Sequence, residues 1–218
     1  MSATPDFTLY GYFRSSAAFR VRIALNLKGI APALAFVHLR KAEQHAPDYH
    51  QHNPQELVPF LVHGETAIAQ SLAIIEYLDE VVPEPPLLPK DPAGRARVRQ
   101  LALVIACDVH PLNNLRVMRY LEGRFGADEE SRTAWQAHWM ALGFAALEEM
   151  LARDPARGRF CHGDTPSLAD ICLIPQLANA RRIAMDLSLY PTLLGIEENA
   201  FRLTAFEAAR PQNQPDAE

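Results

Sequence analysis

The sequence predicts an α/β N-terminal domain followed by an all-α C-terminal domain. Three observations support this fold class: short strand and helix patterns alternate up to residue 82, prolines crowd residues 83–92, and only long helical patterns follow. With 218 residues, of which 49% are hydrophobic and 22% charged, the chain is long enough for two modest domains with packed cores. We therefore expect domains at residues 1–82 and 93–218, joined by a proline-rich linker at residues 83–92.

In the N-terminal domain the predicted order is βαβ and then ββα. A short aromatic strand pattern covers residues 7–12, and apolar residues at helical spacing cover residues 16–28, where Gly29 provides a C-terminal stop. Further strand patterns cover residues 33–39, 57–62 and 66–69, and a turn at residues 64–65 makes the last two a hairpin. Residues 40–54 are a polar stretch, and Ser71 is expected to cap a helix that runs to Glu80.

The C-terminal domain is predicted to be helical throughout. Five prolines at residues 83–92 exclude a helix or a strand there, because proline lacks an N–H and fixes φ. Long helical patterns then cover residues 93–120 and 129–151, and a polar tail follows Pro211. Ser167 and Asp170 have the spacing of a capping box, which predicts a further helix toward Ala184.

The charge balance and the cysteine count exclude several classes of protein. The net charge is −5 and no run of like charges is long enough for a nucleic-acid or membrane tail, so neither nucleic acid nor a membrane is an expected partner. Residues 1–6 lack the start of a leader peptide and no stretch is apolar enough to span a membrane, which predicts a cytoplasmic protein. Three cysteines fit neither a disulfide framework nor a metal site, and the histidines lack the spacing of a zinc enzyme, so no metal is expected.

The most informative segment covers residues 14–25, where a strand turns into a helix. Here Arg14, Ser15 and Ser16 stand at the predicted helix N-terminus. The free N–H groups and the positive dipole end of a helix N-terminus already favour an anion, and hydroxyl and guanidinium groups add to this preference. The sequence therefore predicts a site for a negatively charged sulfur or a carboxylate.

A family resemblance accompanies this segment. Residues 10–16 (YGYFRSS) and 20–25 (RVRIAL) resemble the signature of zeta-class glutathione transferases, and so, in order, do residues 57–59, 70–78, 87–89, 110–116, 163–164 and 169–170. The similarity runs from about Leu9 to about Pro215. It implies a thioredoxin-like N-terminal domain, a helical C-terminal domain, glutathione as cofactor and a homodimer. Members of this family are maleylacetoacetate and maleylpyruvate isomerases.

The chemistry implied by the resemblance suits the residues at the first helix. Isomerising a cis double bond conjugated to carbonyls requires temporary single-bond character, which a thiolate supplies by adding to the alkene and leaving after rotation. The thiol of glutathione is mostly protonated at neutral pH, so the protein must supply groups that stabilise the thiolate. The resemblance implies Ser15 as the principal donor, with Ser16 and Arg14 beside it as catalytic residues. A plain helix cap is the alternative role for either serine.

The resemblance also implies contacts to glutathione elsewhere in the chain. A cis-proline turn would leave the main chain of Val58 free to pair with the cysteinyl part of the tripeptide, and a helix start at Ser71 would receive its γ-glutamyl carboxylate. For Ser71 a simple cap is the alternative, and for His110 it is a hydrogen bond to a main-chain carbonyl. The implied cofactor-binding residues are Ser15, Ser16, Gln44, His45, Val58, Pro59, Gln70, Ser71, His110 and Asn114.

The substrate implied is a small dicarboxylate, for which Arg14, Arg116 and Arg182 are the candidate clamps, because guanidinium binds carboxylate bidentately. One departure from the family pattern is Ala17, which stands where many zeta-class members have a cysteine. The function implied is glutathione-dependent isomerisation of maleylacetoacetate to fumarylacetoacetate. Maleylpyruvate isomerase, a general glutathione transferase and a non-catalytic glutathione-binding protein are the alternatives.

Overall fold

The computed structural model describes residues 7–218, so the expectation about a leader at residues 1–6 lies outside the described residues. It divides into two compact units. The first comprises the described residues up to Leu87 together with Arg202–Glu218, and the second is Leu88–Phe201. This division differs from the predicted one at the C-terminus, because residues 202–218 group with the α/β unit.

A four-stranded mixed sheet forms the centre of the first unit. Its strands are β1 (Phe7–Gly11), β2 (Ala33–Phe36), β3 (Phe60–His63) and β4 (Thr66–Ala69), in the order β2-β1-β3-β4. The β1 and β2 strands are parallel, whereas β3 is antiparallel to both β1 and β4. Leu9 of β1 lies opposite Leu61 of β3, and both side chains are buried. The predicted βαβ–ββα order is confirmed.

Helices α1 (Ser16–Leu27), α2 (Pro47–His52) and α3 (Ser71–Val81) belong to the same unit. The α1 helix buries most of its apolar residues and also two arginines, Arg20 and Arg22. The α2 helix was missed because it lies in the polar stretch, where only Tyr49 is buried within it. Short 3-10 helices at Leu39–Lys41 and Glu43–His45 precede it.

The second unit is helical, as predicted, but its first helix is interrupted. The helix predicted for residues 93–120 is α4 (Pro92–Leu103), a π-helical turn (Val104–Val109), a 3-10 helix (His110–Asn113) and α5 (Leu115–Phe125). The prediction of one continuous helix is wrong because Pro111 has no N–H for the helical ladder and the Asn114 side chain caps a new helix. Helix α6 (Glu129–Ala152) follows.

The predicted capping box is confirmed at helix α7 (Leu168–Arg182). The fully buried carboxylate of Asp170 accepts hydrogen bonds from the main-chain N–H groups of Cys161 and Ser167 and from the Ser167 hydroxyl, each at 2.8 Å. Burial nevertheless raises the pKa of Asp170, because desolvation outweighs these hydrogen bonds. Helix α8 (Pro191–Phe201), which was not predicted, ends the second unit.

The last part of the chain returns to the first unit. Helix α9 (Thr204–Ala208) packs against α1, and the side chain of Asn26 donates a hydrogen bond of 2.9 Å to the carbonyl of Ala205. A 3-10 helix at Pro211–Asn213 follows, within the predicted polar tail. Among the helices of residues 7–218, none is long and apolar enough to cross a membrane.

Candidate functional site

Ser15 is the N-cap of α1. Its backbone is extended, with φ −70° and ψ 115°, and its hydroxyl oxygen accepts the N–H of Ala18 at 3.1 Å. A hydroxyl group has two acceptor lone pairs and one O–H, so this cap bond leaves the hydrogen of Ser15 able to donate to a ligand. The side chain is half-buried, which keeps it accessible. Capping the helix and stabilising an anion are therefore compatible roles for one side chain.

The neighbours of Ser15 define the rest of this helix start. Ser16 is buried in the first turn, and Ala17 is half-buried beside it. Arg14 is exposed, with its guanidinium 5.1 Å from the centre of the Phe13 ring. The first turn of α1 contains no acidic residue. A cation, hydroxyls and the positive end of a helix thus lie together, which favours an anion at this point.

A second helix start, that of α3, carries the predicted residues Gln70 and Ser71. Ser71 is not the cap that was predicted, because it is the first helical residue and Gln70 is the N-cap. Gln70 has φ 72° and ψ 117°, a strained conformation for a residue with a side chain that costs roughly 1–3 kcal/mol. Such strain is typical of functional sites.

Arg20 of α1 contacts the start of α3, and the sequence prediction of the site missed it. Its side chain is 2% exposed, and its Nη1 donates to the hydroxyl of Ser71 at 3.3 Å. A buried guanidinium adds positive charge to the N-terminus of α3, where an anion is already favoured. The available signal was an arginine among apolar residues of a predicted helix, since a buried charge requires a reason.

The predicted cis-proline turn is present, and along the chain it lies between the starts of α1 and α3. The Val58–Pro59 peptide is cis, both residues are buried, and β3 begins at the next residue. The Gln70 side chain donates to the side chain of Gln55 at 2.9 Å. The cis peptide before β3 and the start of α3 both lie in the first unit. The groups in question are the main chain of Val58 and the side chain of Gln70.

Gln44 and His45 lie in the 3-10 helix Glu43–His45. Gln44 is buried and its Nε2 lies 3.0 Å from Nε2 of His45, which is itself exposed. His45 and His50 both contact the carboxylate of Glu56, and these hydrogen bonds, with that from His45 the stronger influence, lower the pKa of Glu56. The pair therefore belongs to a polar cluster on the surface of the first unit.

The remaining predicted residues lie in the second unit. His110 begins the 3-10 helix, and the side chain of Asn114 caps α5 by accepting the N–H of Arg116 at 2.8 Å. Arg116 is exposed in the first turn of α5. Arg182 is exposed at the end of α7, and its neighbour Arg181 forms an ion pair with Glu197. The structure therefore groups His110, Asn114 and Arg116 in one segment and places Arg182 in another.

The part of the chain that the structure describes contains no candidate metal-binding cluster. Within residues 7–218, no group of three or more histidine, cysteine, aspartate or glutamate side chains is arranged to hold a metal ion. The donors at the starts of α1 and α3 are hydroxyls, main-chain N–H groups and guanidinium groups, which bind anions rather than cations. The arrangement suits an anionic organic ligand.

Two family models match the chain. The N-terminal domain model of glutathione S-transferase matches residues 5–80, and the C-terminal domain model matches residues 129–210. A protein of Vibrio cholerae described as a probable maleylacetoacetate isomerase is 50% identical over 211 residues, which cover 96% of this chain and 97% of that protein.

Two solved structures extend this comparison. The holo structure of a maleyl pyruvate isomerase, described as a bacterial zeta-class glutathione S-transferase, has a TM-score of 0.95 and 47% identity, covering 97% of this chain and 100% of its own. A maleylacetoacetate isomerase of Methylobacterium extorquens, solved with malonate and glutathione bound, has a TM-score of 0.94 and 43% identity, covering 97% of this chain and 99% of its own.

Proposed function

This chain belongs to the zeta class of the glutathione S-transferase family, and on that premise we propose that it is a glutathione-dependent maleylacetoacetate isomerase. It would convert maleylacetoacetate to fumarylacetoacetate. The single observation that carries the proposal is the N-terminus of α1, where the Ser15 hydroxyl caps the helix and keeps its O–H for a ligand.

The donors at this helix start fit a thiolate. When bound, glutathione supplies the sulfur that adds to the double bond and leaves again. The role of Ser15 is to donate its O–H to that sulfur, and the α1 dipole lowers the cost of the negative charge. Ser16 supports the same turn from a buried position, and Arg14 adds positive charge from the solvent side. The proposed catalytic residues are therefore Ser15, Ser16 and Arg14.

The rest of the tripeptide would be held by polar groups that the fold positions. The start of α3, with Ser71 fixed by the buried Arg20, suits the γ-glutamyl carboxylate. The main chain of Val58, at the cis peptide before β3, suits the cysteinyl part. The proposed cofactor-binding residues are Ser15, Ser16, Gln44, His45, Val58, Pro59, Gln70, Ser71, His110 and Asn114.

The substrate would be a small dicarboxylate. Arg14, Arg116 and Arg182 are exposed residues, and a guanidinium group binds a carboxylate bidentately. Support comes from the related structure that holds malonate, a dicarboxylate, together with glutathione. We propose these three arginines as the substrate clamps.

Ala17 bears on which group performs the addition. A methyl side chain has no nucleophile, so in this chain the proposed chemistry uses the sulfur of glutathione alone. The half-buried position of Ala17 beside Ser15 and Ser16 leaves both hydroxyls in place. The proposal therefore does not require the family cysteine.

The decisive experiment supplies purified protein with maleylacetoacetate and, separately, maleylpyruvate, each with and without glutathione. We expect the fumaryl product only when glutathione is present, and a higher kcat/KM for maleylacetoacetate. A higher kcat/KM for maleylpyruvate would assign the second candidate function, which the related maleyl pyruvate isomerase supports. Glutathione binding without turnover of either substrate would contradict the proposal, and turnover of an aryl halide alone would assign a general transferase.

We further propose a homodimer in the cytoplasm. Family membership supports the dimer, and a cysteine pattern without a disulfide framework supports a reducing compartment. Sedimentation equilibrium is expected to give twice the chain mass of 24.3 kDa. Cell fractionation is expected to recover the protein with the cytoplasmic fraction, and recovery from a membrane or secreted fraction would contradict the location.

A further inference from the structure

The loop between β1 and Ser15 is held by two side chains outside it, Arg22 of α1 and Asp216 near the end of the chain. We call residues 12–15 the serine loop. Within it, the N–H of Ser15 donates to the carbonyl of Tyr12 at 3.0 Å, so the position of Ser15 depends directly on the main chain before it. Any group that fixes the main chain of Tyr12 or Phe13 therefore fixes the Ser15 hydroxyl.

Arg22 fixes the carbonyl side of the serine loop. Its guanidinium donates to the carbonyl of Phe13 at 3.1 Å and to that of Tyr12 at 3.5 Å, and its Nε donates to the carbonyl of Ala209 at 3.0 Å. The side chain is buried, and desolvation lowers the pKa of Arg22 to about 10, which a nearby carboxylate, that of Asp216, opposes. The buried guanidinium of Arg22 thus binds the carbonyls of the serine loop and interacts favourably with Asp216.

Asp216 fixes the amide side. One oxygen of its carboxylate accepts the N–H of Phe13 at 2.9 Å, across a sequence separation of 203 residues. Together with Arg22, it places hydrogen bonds on both the N–H and the C=O of Phe13. The main chain of Phe13 in the serine loop is therefore hydrogen-bonded on both its N–H and its C=O side by groups outside the loop.

The segment that carries Asp216 is itself held in place. The side chain of Gln214 donates to the carbonyls of Ala208 and Arg210, at 2.9 and 2.8 Å, and the side chain of Asn213 donates to the carbonyl of Glu207 at 2.8 Å. These bonds fold the segment back onto α9, which packs on α1. Asp216 thus approaches Phe13 from a supported segment rather than from a loose tail.

We propose that Asp216 is a positioning residue for the reaction: its carboxylate holds the serine loop so that the Ser15 hydroxyl meets the sulfur of glutathione. This inference rests on the proposed function. Replacing Asp216 with alanine leaves the Phe13 N–H without its acceptor. The loop then relaxes and Ser15 no longer stabilises the thiolate, because this contact tolerates little displacement.

Three variants of Asp216 separate position from charge. Asp216→Asn keeps an acceptor oxygen without the charge, Asp216→Glu keeps the charge but moves it by one methylene, and Asp216→Ala removes both. Gln212→Ala is the matched control, because Gln212 is an exposed residue of the same segment. Each protein is compared with the wild type by the pKa of bound glutathione, from thiolate ultraviolet absorbance, by kcat and KM, by thermal unfolding and by hydrogen exchange of the Phe13 amide.

For Asp216→Ala we expect faster exchange of the Phe13 amide, a higher pKa of the bound thiol and a kcat lower by about tenfold or more. Asp216→Asn and Gln212→Ala are expected to stay close to the wild type in kcat and thiol pKa. A thiol pKa in Asp216→Ala equal to that of the wild type would overturn the positioning role. If Asp216→Ala does not fold, the comparison of Asp216→Asn with Asp216→Glu takes its place. The positioning role requires the higher kcat in Asp216→Asn, which keeps the acceptor oxygen in place. A higher kcat in Asp216→Glu would overturn the positioning role.

These results also separate this inference from the proposed function. A wild-type protein that binds glutathione without lowering the pKa of its thiol contradicts the proposed function itself. A lowered thiol pKa in the wild type that persists in every Asp216 variant contradicts only the positioning role.

Discussion

Replacing Ser15 with alanine separates the two roles assigned to its hydroxyl. The cap bond to the Ala18 N–H, 3.1 Å long, is lost, and loss of a serine cap typically costs about 1 kcal/mol in free energy of unfolding. The O–H that would donate to the thiolate is lost as well, and a hydrogen bond to a charged group contributes roughly 1.5–3 kcal/mol. At about 1.4 kcal/mol per pH unit, the pKa of the bound thiol is expected to rise by roughly one to two units.

The consequence for turnover follows from the thiolate fraction. A thiol pKa higher by one to two units leaves about ten- to a hundredfold less thiolate at a pH well below that pKa, so kcat should fall by that order. Glutathione affinity should change much less, because the contacts proposed at α3 and before β3 remain. Steady-state kinetics, glutathione titration and thiolate absorbance measure the three quantities on the same protein.

Ser15→Thr is the matched control for this experiment, since threonine retains both the acceptor for the cap and the O–H. It should keep most of the turnover and most of the stability. Equal losses of turnover and glutathione affinity in Ser15→Ala, or an unchanged thiol pKa, would refute the assignment of Ser15 as the thiolate donor. A loss confined to thermal stability would leave the residue as a helix cap only.

Three further predictions concern stability. Asp170→Ala leaves the main-chain N–H groups of Cys161 and Ser167 without their acceptor. Chemical denaturation should therefore show a free energy of unfolding lower by roughly 2–5 kcal/mol. The exposed control Glu130→Ala should lose much less, and similar losses in the two variants would be inconsistent with the capping box. Gly158→Ala would place a Cβ 2.5 Å from the carbonyl oxygen of Gly163, and a lowered unfolding temperature is expected, with an unchanged one excluding this crowding. Hydrogen bonds from His45 and His50 lower the pKa of Glu56. The stabilising contribution of Glu56 is therefore present above the ordinary glutamate pKa and is lost as pH falls through the lowered pKa. The unfolding-temperature gap between wild type and Glu56→Gln should therefore close on acidification, and a gap that is constant with pH would argue against this linkage.

The order of secondary structure followed from periodicity wherever the pattern was strong. The strands of the sheet, α1 and α7 were predicted because their apolar residues repeat at strand or helix spacing and their ends carry caps or glycines. Helix α2 was missed because it buries little apolar surface. The predicted helix over residues 93–120 failed because the sequence pattern continues through Pro111, whereas the hydrogen-bond ladder does not.

The candidate site divides along the same line. Its local parts were evident: a serine at a helix start, the proline at residue 59 and the residues before α3. The role of Ser71 as a cap was wrong, because Gln70 takes the cap position and the Ser71 hydroxyl bonds to Arg20. That contact joins residues of two helices 51 positions apart, so no spacing within either helix indicates it.

The sequence by itself determined the α/β and helical division, the anion-binding chemistry at the start of α1 and the resemblance to a family, because each depends on residues that are neighbours along the chain. Only the tertiary structure decided that Arg20 supports Ser71 and that Asp216 and Arg22 hold the serine loop. The physical reason is that hydrogen bonds act over about 3 Å in space and carry no record of sequence separation. Asp216 lies in a polar tail, and nothing in the sequence around it indicates that its carboxylate accepts the N–H of Phe13, 203 residues away.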